Sequence, residues 1–505
     1  MTDNLQRVYQ QACDHARQSA ILAAVQAALE WDERTMLPPP AAEYRAEQIA
    51  LVSGLVHKQW VEPRFGDWLA ELAASPLAED PYSDSGATIR ELRRQRDRAV
   101  KLPQSLVEAI ARAAVLGQNA WQEARRKADF QQFRPFLENM LALKRQQAEA
   151  IGYAQSPYDA LLDDYEPAAL SAEVTQVLAA LRNELAPLVA EIAQSGRRPD
   201  VSILARRYAV GAQEQFGRAA AARIGFDFNR GRLDPTTHPF CTTLGPHDCR
   251  ITTRYNERHF NESFFGILHE AGHGIYEQGL RVDQYGLPLG QAVSLGVHES
   301  QSRLWENLVG RSLPFWEHLY LEAQRQFPEA LGDVALRDFY FAANDVRPSL
   351  VRVEADEATY NLHIVIRFEL EQALLLGDLS VGDLPGAWNE AYRKYLSIDP
   401  TDDAVGVLQD VHWSAGLIGY FPTYALGNLC AAQLFAKADE ELGGLKALIA
   451  AGQFLPLRQW LGEKIHSQGQ RYPAAELIRR VTGQPLSHRP LIAYLRAKFE
   501  PLYGL

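Results

Sequence analysis

Residues 261–280 read NESFFGILHEAGHGIYEQGL, and within them His269 and His273 stand four positions apart. On a helix that spacing puts both imidazoles on one face, one turn apart, as two histidines must be to share a metal ion. Glu270, beside the first of them, lies next to such an ion without ligating it, where its carboxylate can take the proton of an attacking water. The chemistry implied is metal-assisted hydrolysis, and it needs a further ligand. A His at the tenth position after the first is excluded, because residue 279 is Gly. Residues 291–310, QAVSLGVHESQSRLWENLVG, carry a second helical pattern with His298-Glu299 near its centre, far enough on to pack antiparallel on the first helix. Glu299 is the expected third ligand, with Glu277, Glu306 and His298 as alternatives.

The elements that position these groups are nearly all helical. Over residues 2–30, Leu5, Val8, Tyr9, Ala12, Ala16, Ala20 and Ala23 recur at three-to-four spacing, the stripe of an amphipathic helix, before Trp31-Asp32 leads to a break at Pro38-Pro39-Pro40. Similar periodicity predicts helices near 41–57, 86–100, 104–127, 131–151, 171–194, 211–224, 262–279, 291–310, 315–327, 349–376, 386–395, 424–440, 445–451, 455–467 and 474–481. Short Gly, Pro, Asp or Ser punctuation separates them. The β signal is confined to 236–255, TTHPFCTTLGPHDCRITTRY, where β-branched and aromatic residues flank a Gly-Pro-His-Asp turn and predict a hairpin. The expectation is a mainly α fold, one large helical unit over 1–505, or two lobes of it around a deep groove, with the hairpin or a small sheet beside the metal site.

Composition narrows the function classes. At 505 residues, 47% hydrophobic and 23% charged, the chain has enough apolar material for a large core. Its 51 basic and 63 acidic residues sum to −12 with no basic run, so nucleic acid is not expected as a partner. The N-terminus lacks the basic-then-apolar order of a signal peptide and no apolar stretch is long enough to span a bilayer, so the expected protein is soluble and cytoplasmic, with no membrane partner. Cys13, Cys241, Cys249 and Cys430 form no C-x-x-C pair and are expected as free thiols.

Further motifs extend the pattern: Trp31-Asp32 with Met36 and Pro38; His238-Pro239-Phe240; Asp248-x-Arg250-x-Thr252; His298-Glu299-Ser300-Gln301; Val351-Arg352-x-x-Ala355-Asp356; and Gly406-x-x-Gln409-Asp410-x-His412-Trp413. With the two-histidine motif, and in this order, they resemble the carboxypeptidase Taq family of metallocarboxypeptidases. The resemblance implies a homodimeric, helix-rich enzyme that removes single residues from peptide C-termini, with broad side-chain tolerance and poor acceptance of proline. It carries His269, His273 and Glu299 over as metal ligands and Glu270 as general base. One Zn²⁺ per subunit is the expected cofactor, with Co²⁺ or Mn²⁺ as alternatives. An oligopeptidase that cuts internally and a non-catalytic helical scaffold are the competing readings.

An enzyme of that kind must hold a free carboxylate, and the planar fork of Arg does so bidentately. Arg352 is the leading candidate, weighed against an ordinary pair with Asp356 one turn later; Arg347 and Arg250 are alternatives. Charge developing on the scissile carbonyl calls for donors, and 406–424 offers His412, Tyr420 and Tyr424 among glycines, with Tyr420 preferred over Tyr424. The family resemblance suggests that His238 lines the substrate groove, against a structural role at the hairpin. Arg303, four residues after Glu299, either borders the pocket for the departing residue or pairs with Glu299 or Glu306. Asp356 or Asp410 is expected to orient a ligand His.

Overall fold

The first amphipathic stretch forms helix α1, Thr2–Thr35, in the computed structural model, which describes residues 2–505. The helix continues past the predicted end through Trp31-Asp32 and stops ahead of Pro38, because a proline disfavours helical backbone in the residue before it. Val8, Ala12, Cys13 and Ala16 of its apolar stripe are buried with Phe65, Leu69, Leu72, Ile89 and Leu92.

The chain divides into two compact units, each built from three stretches: Met1–Val100, Asp200–Ala343 and Leu434–Gly483 in the first, Lys101–Pro199, Asn344–Gln433 and Gln484–Leu505 in the second. Because the chain passes repeatedly between them, no single linker marks the division in the sequence.

In the first unit the predicted hairpin is present and carries an additional strand. Strands β1 (Gly231–Pro235), β2 (Cys241–Thr243) and β3 (Cys249–Thr253) form a sheet in the order β1-β3-β2. β2 runs antiparallel to β3 with Cys241 opposite Ile251, and β1 runs parallel to β3 with Arg232 opposite Arg250. Cys249, Ile251, Thr252 and Thr253 are buried, and β3 packs on helix α2, Phe260–Gly279. Thirteen of the twenty residues of α2 are buried, so it is enclosed on most sides and its polar side chains are held in place. Its start is locked by an aromatic cluster in which Phe260 stacks on Phe264 at 5.2 Å and Phe216, Trp316 and Phe327 fill around them.

The second pattern, predicted as one helix over 291–310, is two elements: helix α3, Leu295–Arg303, and a π-helix, Leu304–Gly310. Ser294 starts α3 by accepting a hydrogen bond from the Val297 N–H at 3.1 Å.

In the second unit the predicted helices appear as Gln104–Lys127, Phe130–Ile151 and Ser171–Gln194. The helix predicted over 349–376 is broken: Arg352–Glu354 is a 3₁₀ turn and helix α4, Thr359–Leu376, starts later. Asp356 causes the late start, since its Oδ1 accepts the Ala358 and Thr359 N–H groups at 2.9 and 3.0 Å. It caps α4 and is not the one-turn partner of Arg352. Helices Pro63–Ala73, Pro157–Leu162, Leu336–Ala343 and Arg489–Tyr503 were not predicted. All four cysteines are free. Among the described residues no helix is long and apolar enough to cross a membrane.

Candidate metal centre

The two imidazoles of α2 meet a carboxylate of α3. Glu299 Oε2 lies 3.4 Å from His273 Nε2 and 3.6 Å from His269 Nε2, and one donor atom from each residue falls within 4.8 Å of the others. A tetrahedral ion with bonds of about 2.0–2.2 Å separates its ligand atoms by about 3.3–3.6 Å, so this donor set fits a divalent ion of zinc's size and preferences. Gly272 permits the approach of the two helices. A Cβ there would stand 2.6 Å from Gln301 O and 2.7 Å from the Ser302 Cα, so any larger residue pushes α3 away from α2.

The imidazoles are held from behind. His273 Nδ1 lies 3.1 Å from the carbonyl oxygen of His298, which can only accept, so Nδ1 carries the proton and Nε2 presents its lone pair. His269 Nδ1 lies 2.9 Å from Glu306 Oε2, which sets the same tautomer. These partners take the orienting role expected of Asp356 or Asp410; Asp356 caps α4, and Asp410 is engaged by Arg352 and Arg367 within the second unit. Burial opposes charge on His269, but Glu299 and Glu306 outweigh it and raise its pKa; burial, reinforced by His298, takes His273 down to about 3. Burial also opposes charge on Glu299, yet Arg303 and both imidazoles hold it well below the usual carboxylate range.

Glu270 is buried beside these ligands and its Oε2 has no hydrogen-bond partner. Burial pushes its pKa up to about 7, against the pull of His269. A carboxylate with a vacant oxygen and a pKa near neutrality is suited to general-base work.

The other ligand candidates are otherwise engaged. His298 Nε2 and Glu277 Oε1 pair at 2.9 Å, and the His298 ring stacks on His273 with centroids 4.5 Å apart. Arg303 takes the paired arrangement: its Nε donates to Glu299 Oε1 at 2.6 Å and its Nη1 to Glu306 Oε2 at 3.4 Å. Arg250 is locked by Asp248, to which it donates through Nε and Nη2, each at 2.9 Å, and lies 4.4 Å over the Trp31 ring. Arg232 mirrors it on β1, bound to both oxygens of Asp234 and 5.2 Å from the same ring. His238 is exposed on the segment before β2.

The remaining motifs assemble in the second unit. Arg352 donates Nε and Nη2 to Asp410 and Nη1 to the Tyr360 hydroxyl, while its backbone N–H donates to the Gln409 side chain at 2.8 Å. Gln409 turns its amide onto the backbone carbonyls of Leu350, Val405 and Gly406, so this one motif residue fixes the other motif's backbone. Burial opposes ionisation of Asp410, but Arg367 and Arg352 hold its pKa far below the usual range. His412, Tyr420 and Tyr424 are brought together: His412 Nε2 lies 3.4 Å from the Tyr424 hydroxyl, and its ring centroid lies 5.6 Å from that of Tyr420. Burial, with Arg352 and Arg367 adding to it against Asp410, lowers His412 to about 4, so its imidazole is neutral. Arg347 pairs with Asp345. Sequence reasoning did not find Arg367 or Tyr360, which carry no motif of their own; for Glu306 the signal was its place seven residues after Glu299, two helical turns along the same face.

Residues 11–499 match the carboxypeptidase Taq (M32) metallopeptidase family. The chain is 49% identical to thermostable carboxypeptidase 1 of Thermus thermophilus, over 98% of this chain and 99% of that protein, and 40% identical to carboxypeptidase 1 of Bacillus subtilis, over 95% of each. Its fold superposes on the M32 carboxypeptidase from Deinococcus radiodurans R1 with a TM-score of 0.95 and 40% identity, covering 99% of this chain and 100% of that one.

Proposed function

The chain belongs to the carboxypeptidase Taq (M32) family of metallopeptidases, and from that premise we propose that it is a metallocarboxypeptidase working through His269, His273, Glu299 and Glu270. The observation that carries this reading is the convergence of two Nε2 atoms and one carboxylate oxygen beside the partnerless Oε2 of Glu270. A divalent ion held by those three ligands supplies Lewis acidity for water activation and for polarising the scissile carbonyl. Glu270 accepts the proton of the attacking water at Oε2 and passes it to the departing amine. Arg352, set by Asp410 and Tyr360, binds the substrate's terminal carboxylate, with Arg347 and Arg250 as alternatives. Neutral His412, with Tyr420 or Tyr424, donates to the developing oxyanion, and His238 lines the path of the peptide.

The proposal takes Zn²⁺ as the resident ion, one per subunit, a homodimer as the assembly and the cytoplasm as the place of work. The nitrogen-and-carboxylate donor set supports zinc, and the four free thiols support a reducing compartment. Matched peptides with free and amidated C-termini test the activity. Release of single residues from the free peptide alone, abolished by chelation and restored by Zn²⁺, is expected; equal internal cleavage of both peptides would make it an oligopeptidase.

A further inference from the structure

Glu306 is a carboxylate only 12% exposed, and its two oxygens are both spent. Oε2 faces His269 Nδ1 at 2.9 Å and Arg303 Nη1 at 3.4 Å, while Oε1 accepts from Arg311 Nη2 at 3.3 Å. It is therefore not a spare ligand. Burial opposes its ionisation, yet His269, Arg303 and Arg311 hold its pKa near the bottom of the carboxylate range, at about 2. Arg303 spans from this carboxylate to the ligand Glu299, whose Oε1 it takes at 2.6 Å, while Oε2 faces the two imidazoles and also accepts from the Ser302 hydroxyl at 3.0 Å. Arg311 is itself fixed: its Nη1 donates to Ala343 O at 2.8 Å and its guanidinium lies 3.8 Å over the ring of Phe265, one turn before His269 on α2.

These groups come from a local change of helix type. Glu299 and Arg303 are one turn apart on α3, and Glu306 follows inside the π-helix Leu304–Gly310. A stretch of π-helix shifts the phase of the side chains beyond it and is common at functional sites. Gly310 ends it against α2, where a Cβ would stand 2.5 Å from Leu268 Cδ1, next to His269.

We propose that Glu306 is a positioning residue of the metal centre, which holds His269 with Nε2 toward the ion, and that Arg303 braces it to Glu299 so that this ligand offers one oxygen. This rests on the metal assignment made above. Arg303 thus ties the positioning carboxylate Glu306 to the ligand carboxylate Glu299.

The test is Zn²⁺ affinity, by competition against a chromophoric chelator, together with the visible spectrum of the Co²⁺-loaded protein. Glu306→Ala is expected to weaken Zn²⁺ binding about 10–100-fold and to alter the Co²⁺ bands. Glu306→Gln keeps a neutral acceptor in the same place. A neutral hydrogen bond has roughly half the strength of a charge-assisted one, so the expected loss is the square root of that, about 3–10-fold. The metal-free variants should keep the wild-type circular dichroism, with Glu306→Ala melting lower because Arg303 and Arg311 lose a shared counter-charge. Wild-type affinity and spectrum in Glu306→Ala would overturn the proposal; if that variant does not fold, the same result in Glu306→Gln overturns it. Glu299→Ala in the same titration separates the two claims. If it keeps its metal, the ligand assignment fails whatever Glu306 does; if it loses metal while Glu306→Ala does not, the brace alone fails.

Discussion

Arg352 gives two donors, Nε and Nη2, to a single oxygen of Asp410, at 2.9 and 2.8 Å, while Arg367 Nε takes the other oxygen at 2.7 Å. One carboxylate thus serves two guanidiniums, with Arg352 only 7% exposed and Arg367 fully buried. A buried cluster left one positive charge in excess is unfavourable by itself and favours an incoming anion. The terminal carboxylate of a peptide is an anion of that kind.

Arg352→Ala should therefore lower kcat/KM on free-carboxylate peptides by about 30-fold or more, the equivalent of ~2 kcal/mol, and erase the preference over C-terminal amides. Steady-state rates on matched peptide pairs check this, and an undiminished preference would move the role to Arg347 or Arg250. Asp410→Asn should cost about 3–5 kcal/mol of stability, because it leaves two buried guanidiniums without their shared counter-charge. Urea unfolding measures that loss.

The metal and the base separate cleanly. Glu299→Ala removes a ligand and should lose metal and activity together, whereas Glu270→Gln should retain stoichiometric metal while turnover falls by about 10²–10⁴-fold. Metal analysis of the purified variants decides. A metal-free Glu270→Gln, or a Glu299→Ala with full metal, contradicts the roles assigned.

A buried carboxyl in the second unit predicts a pH dependence of stability. Glu371 on α4 accepts from the Tyr158 hydroxyl, Trp413 Nε1 and the Gly419 N–H at 2.7, 2.9 and 3.1 Å. Burial nevertheless pushes its pKa from 4.5 up to about 7. A pKa raised on folding contributes stability that is complete below the unfolded value and lost as pH rises through the folded one. The window is therefore about pH 4.5 to 7, and the contribution at stake is on the order of 3 kcal/mol. Glu371→Gln cannot titrate, so the wild-type advantage over it should shrink by that order between pH 5 and pH 8. A gap that stays constant over this range rules out titration of Glu371 there.

What the sequence revealed depended on how local the determinant was. The spacing of His269 and His273 implied its geometry directly, because one helical turn is enough to make the pair. Glu306 was considered only as a ligand and its orienting role was missed, because counting four residues from Glu299 lands on Arg303 and the π-helix that follows has no compositional signature. Asp410 was named as an orienting group, but its partnership with Arg352 spans 58 residues and is created by tertiary packing alone. The missed helices Pro63–Ala73, Pro157–Leu162 and Arg489–Tyr503 each have Pro at the first or second position, where it starts a helix and does not break one. Strand β1, Gly231-Arg-Leu-Asp-Pro, lacks the β-branched alternation that disclosed β2 and β3 and is held by its parallel register with β3.

The close contact between α2 and α3 gives the last prediction, a paired one with opposite signs. Gly266 and Gly272 lie on the same helix and neither has positive φ, so Ala improves helix propensity equally at both, by about 0.4–1 kcal/mol. Their surroundings differ. A Cβ at Gly266 meets Thr253 Oγ1 at 3.7 Å, an ordinary contact, whereas at Gly272 it meets the Gln301 carbonyl oxygen and the Ser302 Cα at 2.6 and 2.7 Å. Both are backbone atoms of α3 just beyond Glu299, so the clash can be relieved only by moving the helix that carries the third ligand away from the two histidines. Gly266→Ala should melt at or slightly above the wild-type temperature with unchanged Zn²⁺ affinity. Gly272→Ala should lose about 1–3 kcal/mol from overpacking and bind Zn²⁺ more weakly, since Glu299 can no longer reach the same position. Thermal melting of the metal-free proteins reads the first effect and chelator competition the second. A Gly272→Ala protein that holds Zn²⁺ as tightly as Gly266→Ala would show that the spacing of α2 and α3 does not set the metal site.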